Sequence, residues 1–239
     1  MPAALPLMLL PGLLCDDTVW RPLLPTLDAG LAPQVVDYGL LDDLGQMAER
    51  VLALAPPGPF ALAGHSMGGR VALEVVRRAP ERVARLALLD TGVHGLAPGA
   101  AGEQEAAGRG RLVDLARQAG MRAMGTEWAR GMVPENRWHD PLFEEILQMI
   151  ERRTPELFAA QQRALLGRRD SAEVLAGVRV PTLILCGEED RWSPPAQHVA
   201  MAALCPGARL VRVAHAGHMV TMEDPAAVSA ALRDRKSVV

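Results

Sequence analysis

The sequence predicts an α/β fold: a mostly parallel central sheet flanked by helices, with a helical insertion in its middle. Three observations predict it. Short apolar runs alternate with segments whose apolar residues recur at helical spacing, the pattern of strands buried on both faces and joined by crossover helices. One such run stops at Gly64 and a helical pattern starts at Met67, with a lone serine between them. The stretch from about 94 to 177 has no convincing strand and reads as several helices. With 239 residues, 49% of them hydrophobic, the chain supports one large core carrying an insertion.

The elements follow in order. PLMLLPG (6–12) reads as a first strand. The apolar opening has no positive leading region and no small-residue cleavage site, so a buried strand is the better reading than a secretion signal. It is also too short to span a bilayer. TVWRPLLPTL (18–27) suggests a helix interrupted by proline, PQVVDYG (33–39) a short strand, and LDDLGQMAERVLALA (41–55) a helix. PFALAGH (59–65) is a strand, MGGRVALEVVRRA (67–79) a helix and VARLALLDTG (83–92) a strand. GLAPGAAGEQEAAGRG (95–110), small and polar, suggests a mobile lead-in to the insertion. The core resumes with VPTLILCGEED (180–190) as a strand ending in acids and PPAQHVAMAALC (194–205) as a helix. ARLVRVAHAGH (208–218) reads as a strand, DPAAVSAALRDR (224–235) as a last helix, and RKSVV (235–239) as a loose tail. The domain reading is therefore a core of 1–93 and 178–239 around an insertion of 94–177.

Net charge is −3, which argues against a nucleic-acid surface. The basic residues are nearly all arginine, with Lys236 the sole lysine. Three cysteines, Cys15, Cys186 and Cys205, form neither a disulfide framework nor a metal-site spacing. A reducing cytoplasm fits them, and no other stretch looks transmembrane.

Gly64-His65-Ser66-Met67-Gly68 matches G-x-S-x-G, placed between a strand and a helix as a nucleophile elbow requires. The serine must adopt a strained backbone to present its hydroxyl, and small neighbours let strand and helix approach. A helix-capping serine is the bland alternative. A serine nucleophile needs a base, and the base an orienting acid. Asp190, just past a strand end, is the candidate acid, with Glu188, Glu189 and Asp90 as rivals. His218, in the loop before the last helix, is the candidate base, with His215 as its rival; Gly217 lets that loop turn. The developing oxyanion needs two donors. Candidates are the backbone N–H groups of Met67, after the serine, and Leu13, after Gly12. Cys15 lies near this loop and reads as a buried thiol.

LPGLLCDDTVW, GHSMGG, GEEDRWSPP and AGHMVTMEDP, in this order, resemble the α/β-hydrolase superfamily, in particular its capped, esterase-like members, over Leu7 to Arg235. The resemblance implies Ser66 as nucleophile, His218 as base, Asp190 as orienting acid, and Leu13 and Met67 as oxyanion donors. Many relatives carry His-Gly where this chain has Pro11-Gly12, and that histidine supports the oxyanion loop; the hole is expected to survive its replacement. The insertion then becomes a cap. Met121, Met124, Trp128, Met132, Trp138, Phe143, Met149 and Phe158 would mostly pack it, with Trp128 and Trp138 candidates to face substrate. Arg70, one helical turn after Ser66, resembles an arginine that binds an anionic substrate in the related lyase of menaquinone biosynthesis. The bland alternative is a structural pair with an acid on the core. Arg122, Arg130 and Arg137 would be the accompanying cap arginines.

The resemblance implies a serine hydrolase that cleaves a small to medium carboxylic ester or thioester through an acyl-enzyme. A lyase acting on an anionic substrate and a catalytically inactive binding protein are the alternatives. The expected partner is a small-molecule ester, with no nucleic acid and no membrane span, and the chain would be a monomer or homodimer. No metal or organic cofactor is implied.

Overall fold

The computed structural model describes residues 5–27 and 31–233; the tail expected at 235–239 lies outside the described residues. Six strands are present among them: β1 (Leu7–Leu10), β2 (Gln34–Val35), β3 (Phe60–His65), β4 (Val83–Leu89), β5 (Thr182–Gly187) and β6 (Ala208–Val213). They form one sheet in the order β2-β1-β3-β4-β5-β6, and each adjacent pair is parallel. Every residue of β1, β3 and β5 is buried. Side chains alternate between faces along a strand, so unbroken burial means cover on both faces.

That cover comes from the helices between strands. α1 (Leu44–Leu54) starts at Asp43, whose side chain accepts the Gln46 N–H, an N-cap interaction. α1 packs on α2 (Met67–Arg78), and α2 packs on β3 and β4. α7 (Pro195–Leu204) and α9 (Pro225–Arg233) lie on β5 and β6, and α8 (Val220–Glu223) precedes α9. The expected helix at 18–27 is replaced by two single 3₁₀ turns, Asp17–Val19 and Leu24–Thr26. Pro22 and Pro25 each remove a helical N–H donor. The last strand also stops early, at Val213, because His215 takes a positive φ of 58° and turns the chain.

Between β4 and β5 the chain is helical: α3 (Ala100–Trp128), α4 (Pro141–Glu151), α5 (Pro155–Leu166) and α6 (Ala172–Gly177). α3 kinks at Gly120, where φ is 87°. Residues 100–110, read above as a mobile lead-in, are its first turns. Glu105 anchors them through Arg109, at 2.8 Å, and Arg168, at 2.7 Å. The two ends of this stretch meet in a neck. His94 Nδ1 lies 3.0 Å from Asp170 Oδ2, and the Ser171 N–H donates to the Val93 carbonyl at 2.9 Å.

All the strands point the same way, so their carboxyl ends share one edge. The register places Leu10 beside Gly64, Gly64 beside Leu88, and Leu89 beside Leu185. The chain runs from β1 outward to β2 and then returns to β3 on the other side. The crevice above β1 and β3 is thus a topological switch point, where open parallel sheets bind ligands.

Candidate active site

Ser66 stands at that crevice, in the step from β3 into α2. Its backbone has φ 54° and ψ −117°, a conformation that costs a non-glycine residue roughly 1–3 kcal/mol. Its surroundings hold it there: the Ser66 N–H donates to the Leu89 carbonyl at 2.9 Å, and its own carbonyl accepts the Thr91 hydroxyl at 2.6 Å. The flanking glycines are required by space. A Cβ on Gly64 would strike the Gly68 backbone, and one on Gly68 would strike the Leu10 carbonyl.

His218 and Asp190 complete a chain with this serine. His218 Nε2 lies 2.8 Å from Ser66 Oγ, and its Nδ1 lies 2.8 Å from Asp190 Oδ2. The carboxylate accepts from Nδ1–H, which leaves Nε2 free to accept the serine proton. Asp190 Oδ1 takes the N–H groups of Trp192 and Ser193 at 2.8 and 2.9 Å. Burial acts to raise the Asp190 pKa, but His218 and these donors outweigh it and hold the carboxyl below its ordinary value. The rival acids Glu188 and Glu189 are exposed, beside Arg212 and His215. His215, the rival base, is also exposed. Asp90 is fully buried; it accepts the Gly187 N–H at 3.0 Å, and the histidine it faces is His65, at 3.8 Å. Burial and the charge of Asp190 push its pKa well above its ordinary value.

The loop carrying His218 is clamped at two backbone atoms. The His218 N–H donates to the Met132 carbonyl at 2.6 Å, and the Gly217 N–H donates to both carboxyl oxygens of Glu223 at 2.7 Å. Burial raises the Glu223 pKa to about 7. The His218 carbonyl accepts from His65 Nε2 at 2.7 Å. A carbonyl can only accept, so Nε2 of His65 carries the proton. Burial and the neighbouring His218 lower its pKa to about 3, which keeps the ring neutral.

Pro11 to Cys15 form the opposite wall. The Cys15 N–H donates to the Gly12 carbonyl at 3.1 Å, closing a turn with Leu13 at its crest. Across the crevice, Met67 is the first residue of α2, where an N–H has no partner within its own helix. Burial pushes the Cys15 thiol to about 12, so the thiol is inert, as the sequence suggested.

A cleft of about 960 Å³ opens over Ser66. Near the serine it is lined by Leu13, Met67, Trp128, Trp192 and His218. Trp192 stacks on Trp128 with centroids 5.0 Å apart and tilts onto His218, also at 5.0 Å. Trp138 does not line the cleft: its indole N–H donates to the Arg130 carbonyl at 3.2 Å and its ring lies under the Arg130 guanidinium. The farther wall is cationic. Arg70, Arg109 and Arg168 line it, with Glu105 bonded to the last two. Arg70 donates to the His94 carbonyl at 2.7 Å, and the carboxylates that act on its charge are Glu105 and Asp170. Burial, Arg168 and Arg109 lower its pKa to about 10, so it stays charged at neutral pH. The arginines named from the sequence are elsewhere: Arg122 pairs with Glu144 and Glu151, and Arg137 with Asp140.

A profile of the family described as alpha/beta hydrolase fold matches residues 28–225. The chain belongs to this family. Among its relatives, the α/β hydrolase is 30% identical over 234 residues to the pimeloyl-[acyl-carrier protein] methyl ester esterase of Aromatoleum aromaticum, covering 92% of this chain and 93% of that one. It superposes on a thermophilic esterase from Thermogutta terrifontis, solved with malate bound, with a TM-score of 0.83 and 29% identity, over 97% of this chain and 89% of the other. MenH of S. aureus shares the fold, with a TM-score of 0.84 at 20% identity over 96% of this chain and 92% of its own.

Three residues of this hydrolase's site escaped sequence reasoning. Trp192 follows Asp190 by two positions, and the scarcity of aromatics was the available signal. Glu223 sits six positions after Gly217, and nothing in the sequence pattern marks it as the acceptor of that N–H. Gln161 reaches the loop at Leu14 from α5, 147 residues away in the chain, and no local pattern announces such a contact.

Proposed function

We propose that this α/β hydrolase is a serine carboxylesterase that cleaves a small to medium ester, or thioester, through an acyl-enzyme. The observation that carries the reading is the continuous Ser66–His218–Asp190 hydrogen-bond chain, 2.8 Å at each link, at the floor of an open cleft. Ser66 Oγ attacks the ester carbonyl while His218 takes its proton, and Asp190 stabilises the imidazolium. The N–H groups of Leu13 and Met67 receive the oxyanion. Collapse of the tetrahedral intermediate expels the alcohol, protonated by His218, and water then deacylates the serine by the same route. In this reading residues 94–177 act as a cap that limits water and shapes the acyl pocket. Relatives that are esterases by name support the reaction class.

Hydrolysis of p-nitrophenyl esters from acetate to decanoate tests the proposal, with Ser66→Ala alongside. Serine-dependent turnover with an optimum chain length is the expected result. Turnover that persists in folded Ser66→Ala would refute it. The cationic far wall favours a second reading, in which the substrate is anionic and the chemistry extends to elimination, as in a lyase. That reading expects feeble cleavage of neutral esters by a protein whose Ser66 a fluorophosphonate still labels.

A further inference from the structure

The turn that presents Leu13 is strained one residue later. Leu14 has a φ of 62°, the left-handed region that the third residue of a type II turn requires and that glycine or asparagine ordinarily fills. A leucine there costs roughly 1–2 kcal/mol, and its side chain is fully buried. The alternative is nearby: rotation of the 13–14 peptide relaxes Leu14, carries away the Leu14 N–H and the Leu13 carbonyl, and frees the turn to shift together with the adjoining 12–13 peptide, whose N–H is that of Leu13. A weak contact of the Cys15 thiol with the Leu13 carbonyl, at 3.6 Å, and one stronger hydrogen bond oppose that rotation. The Leu14 N–H donates to Oε1 of Gln161 at 2.8 Å, and Gln161 is itself buried. Adjoining residues reinforce the grip, with Arg153 donating to the Cys15 carbonyl at 2.9 Å and Arg152 to Asp16 at 2.8 Å.

We infer that Gln161 is a positioning residue for the oxyanion hole: by holding the Leu14 N–H, it keeps the strained 12–15 turn in the one arrangement that aims Leu13 N–H at the developing oxyanion. The inference rests on the esterase reading. It also assigns the support of this loop, where the chain has Pro11 before Gly12, to a side chain of the helical stretch between β4 and β5. Gln161 touches no reacting atom, so its loss acts on transition-state binding and leaves ground-state binding nearly unchanged.

The test compares wild type with Gln161→Leu, which fills the space without an acceptor, and Gln161→Glu, which keeps one. Rates are taken per active site titrated with a fluorophosphonate. The expected result for Gln161→Leu is a kcat at least about tenfold lower, below the roughly 10²-fold or greater cost of deleting a hole donor outright, with KM changed by less than about threefold. Binding of an alkyl boronic acid, which forms a tetrahedral adduct on Ser66, should weaken in parallel, and Gln161→Glu should recover most of both losses. A lower Tm with unchanged kcat per titrated site would overturn the inference and leave the esterase reading intact. Equal losses in the two variants would overturn it as well. If Gln161→Leu does not fold, Gln161→Met replaces it in the same comparison. Wild type that neither turns over esters nor reacts with the fluorophosphonate would remove the esterase reading and this inference together.

Discussion

Asp190 and Asp90 lie at the ends of neighbouring strands, and their surroundings push their pKa values in opposite directions. Asp190, bonded to His218 and two backbone N–H groups, lies below the ordinary carboxyl value; Asp90, buried with its charge opposed by Asp190, lies well above it. Asp190→Asn should therefore lower kcat by about 10³-fold or more, through the wrong histidine tautomer, while Asp90→Asn should change it by less than about tenfold. Steady-state kinetics on one ester checks both. Trp128→Ala should shift the chain-length optimum, since Trp128 lines the cleft, and Trp138→Ala should not. Glu223 makes a pH prediction. Its folded pKa of about 7 lies above the ordinary 4.5, so the folded state keeps this proton to higher pH than the unfolded chain does. Its contribution to stability is present below pH 4.5, is lost as pH rises to about 7 and is constant beyond. Urea melts of wild type and Glu223→Gln at pH 5 and pH 8 should show the variant gaining on the order of 2 kcal/mol relative to wild type between them. Ser66, Asp190 and His218 were legible as candidates, because G-x-S-x-G is a local signal and the order Ser, Asp, His came with the family resemblance; the fold brings the three into one hydrogen-bond chain. The clamp on His218 was not: Met132 comes from a distant segment, and no local pattern marks Glu223 as the acceptor of the Gly217 N–H.

The strand-to-helix step at Ser66 works only if β3, β1 and α2 approach within van der Waals distance. Gly68→Ala would drive a methyl group into the Leu10 carbonyl. Backbone cannot yield as a side-chain tip can, so the substitution should cost about 3 kcal/mol or more and lower Tm, as thermal melts of purified protein would show. Most elements were legible at this scale, since continuous apolar runs and helical spacing report burial directly. The misreadings have local causes. Apolar spacing at 18–27 suggested a helix that Pro22 and Pro25 forbid, and VAHAGH extended a strand that His215 ends. Glycines and small residues at 95–110 suggested a loose segment, but Glu105, Arg109 and Arg168 tie it down from beyond the reach of local pattern.

Across the whole molecule, one sheet edge gathers the reactive chain and one cleft wall gathers positive charge. If Arg70 meets an anionic group of the substrate, Arg70→Ala should lower kcat/KM for p-nitrophenyl hemiglutarate at least about tenfold more than for p-nitrophenyl butyrate, and added salt should narrow that gap. The sequence pointed to Arg70 but not to Arg109 and Arg168, because arginine is common throughout and only the tertiary fold selects which ones converge. The neck joining His94 to Asp170 bears on how the chain folds. These residues are 76 positions apart, and the entropy of closing a loop grows only with the logarithm of its length. The strands on either side are parallel and need a crossover of a dozen or more residues in any case, so stretching that crossover to its present length costs only about 2 kcal/mol more in closure entropy. The enclosed stretch can therefore change in length at little cost to the pairing of the sheet beneath it.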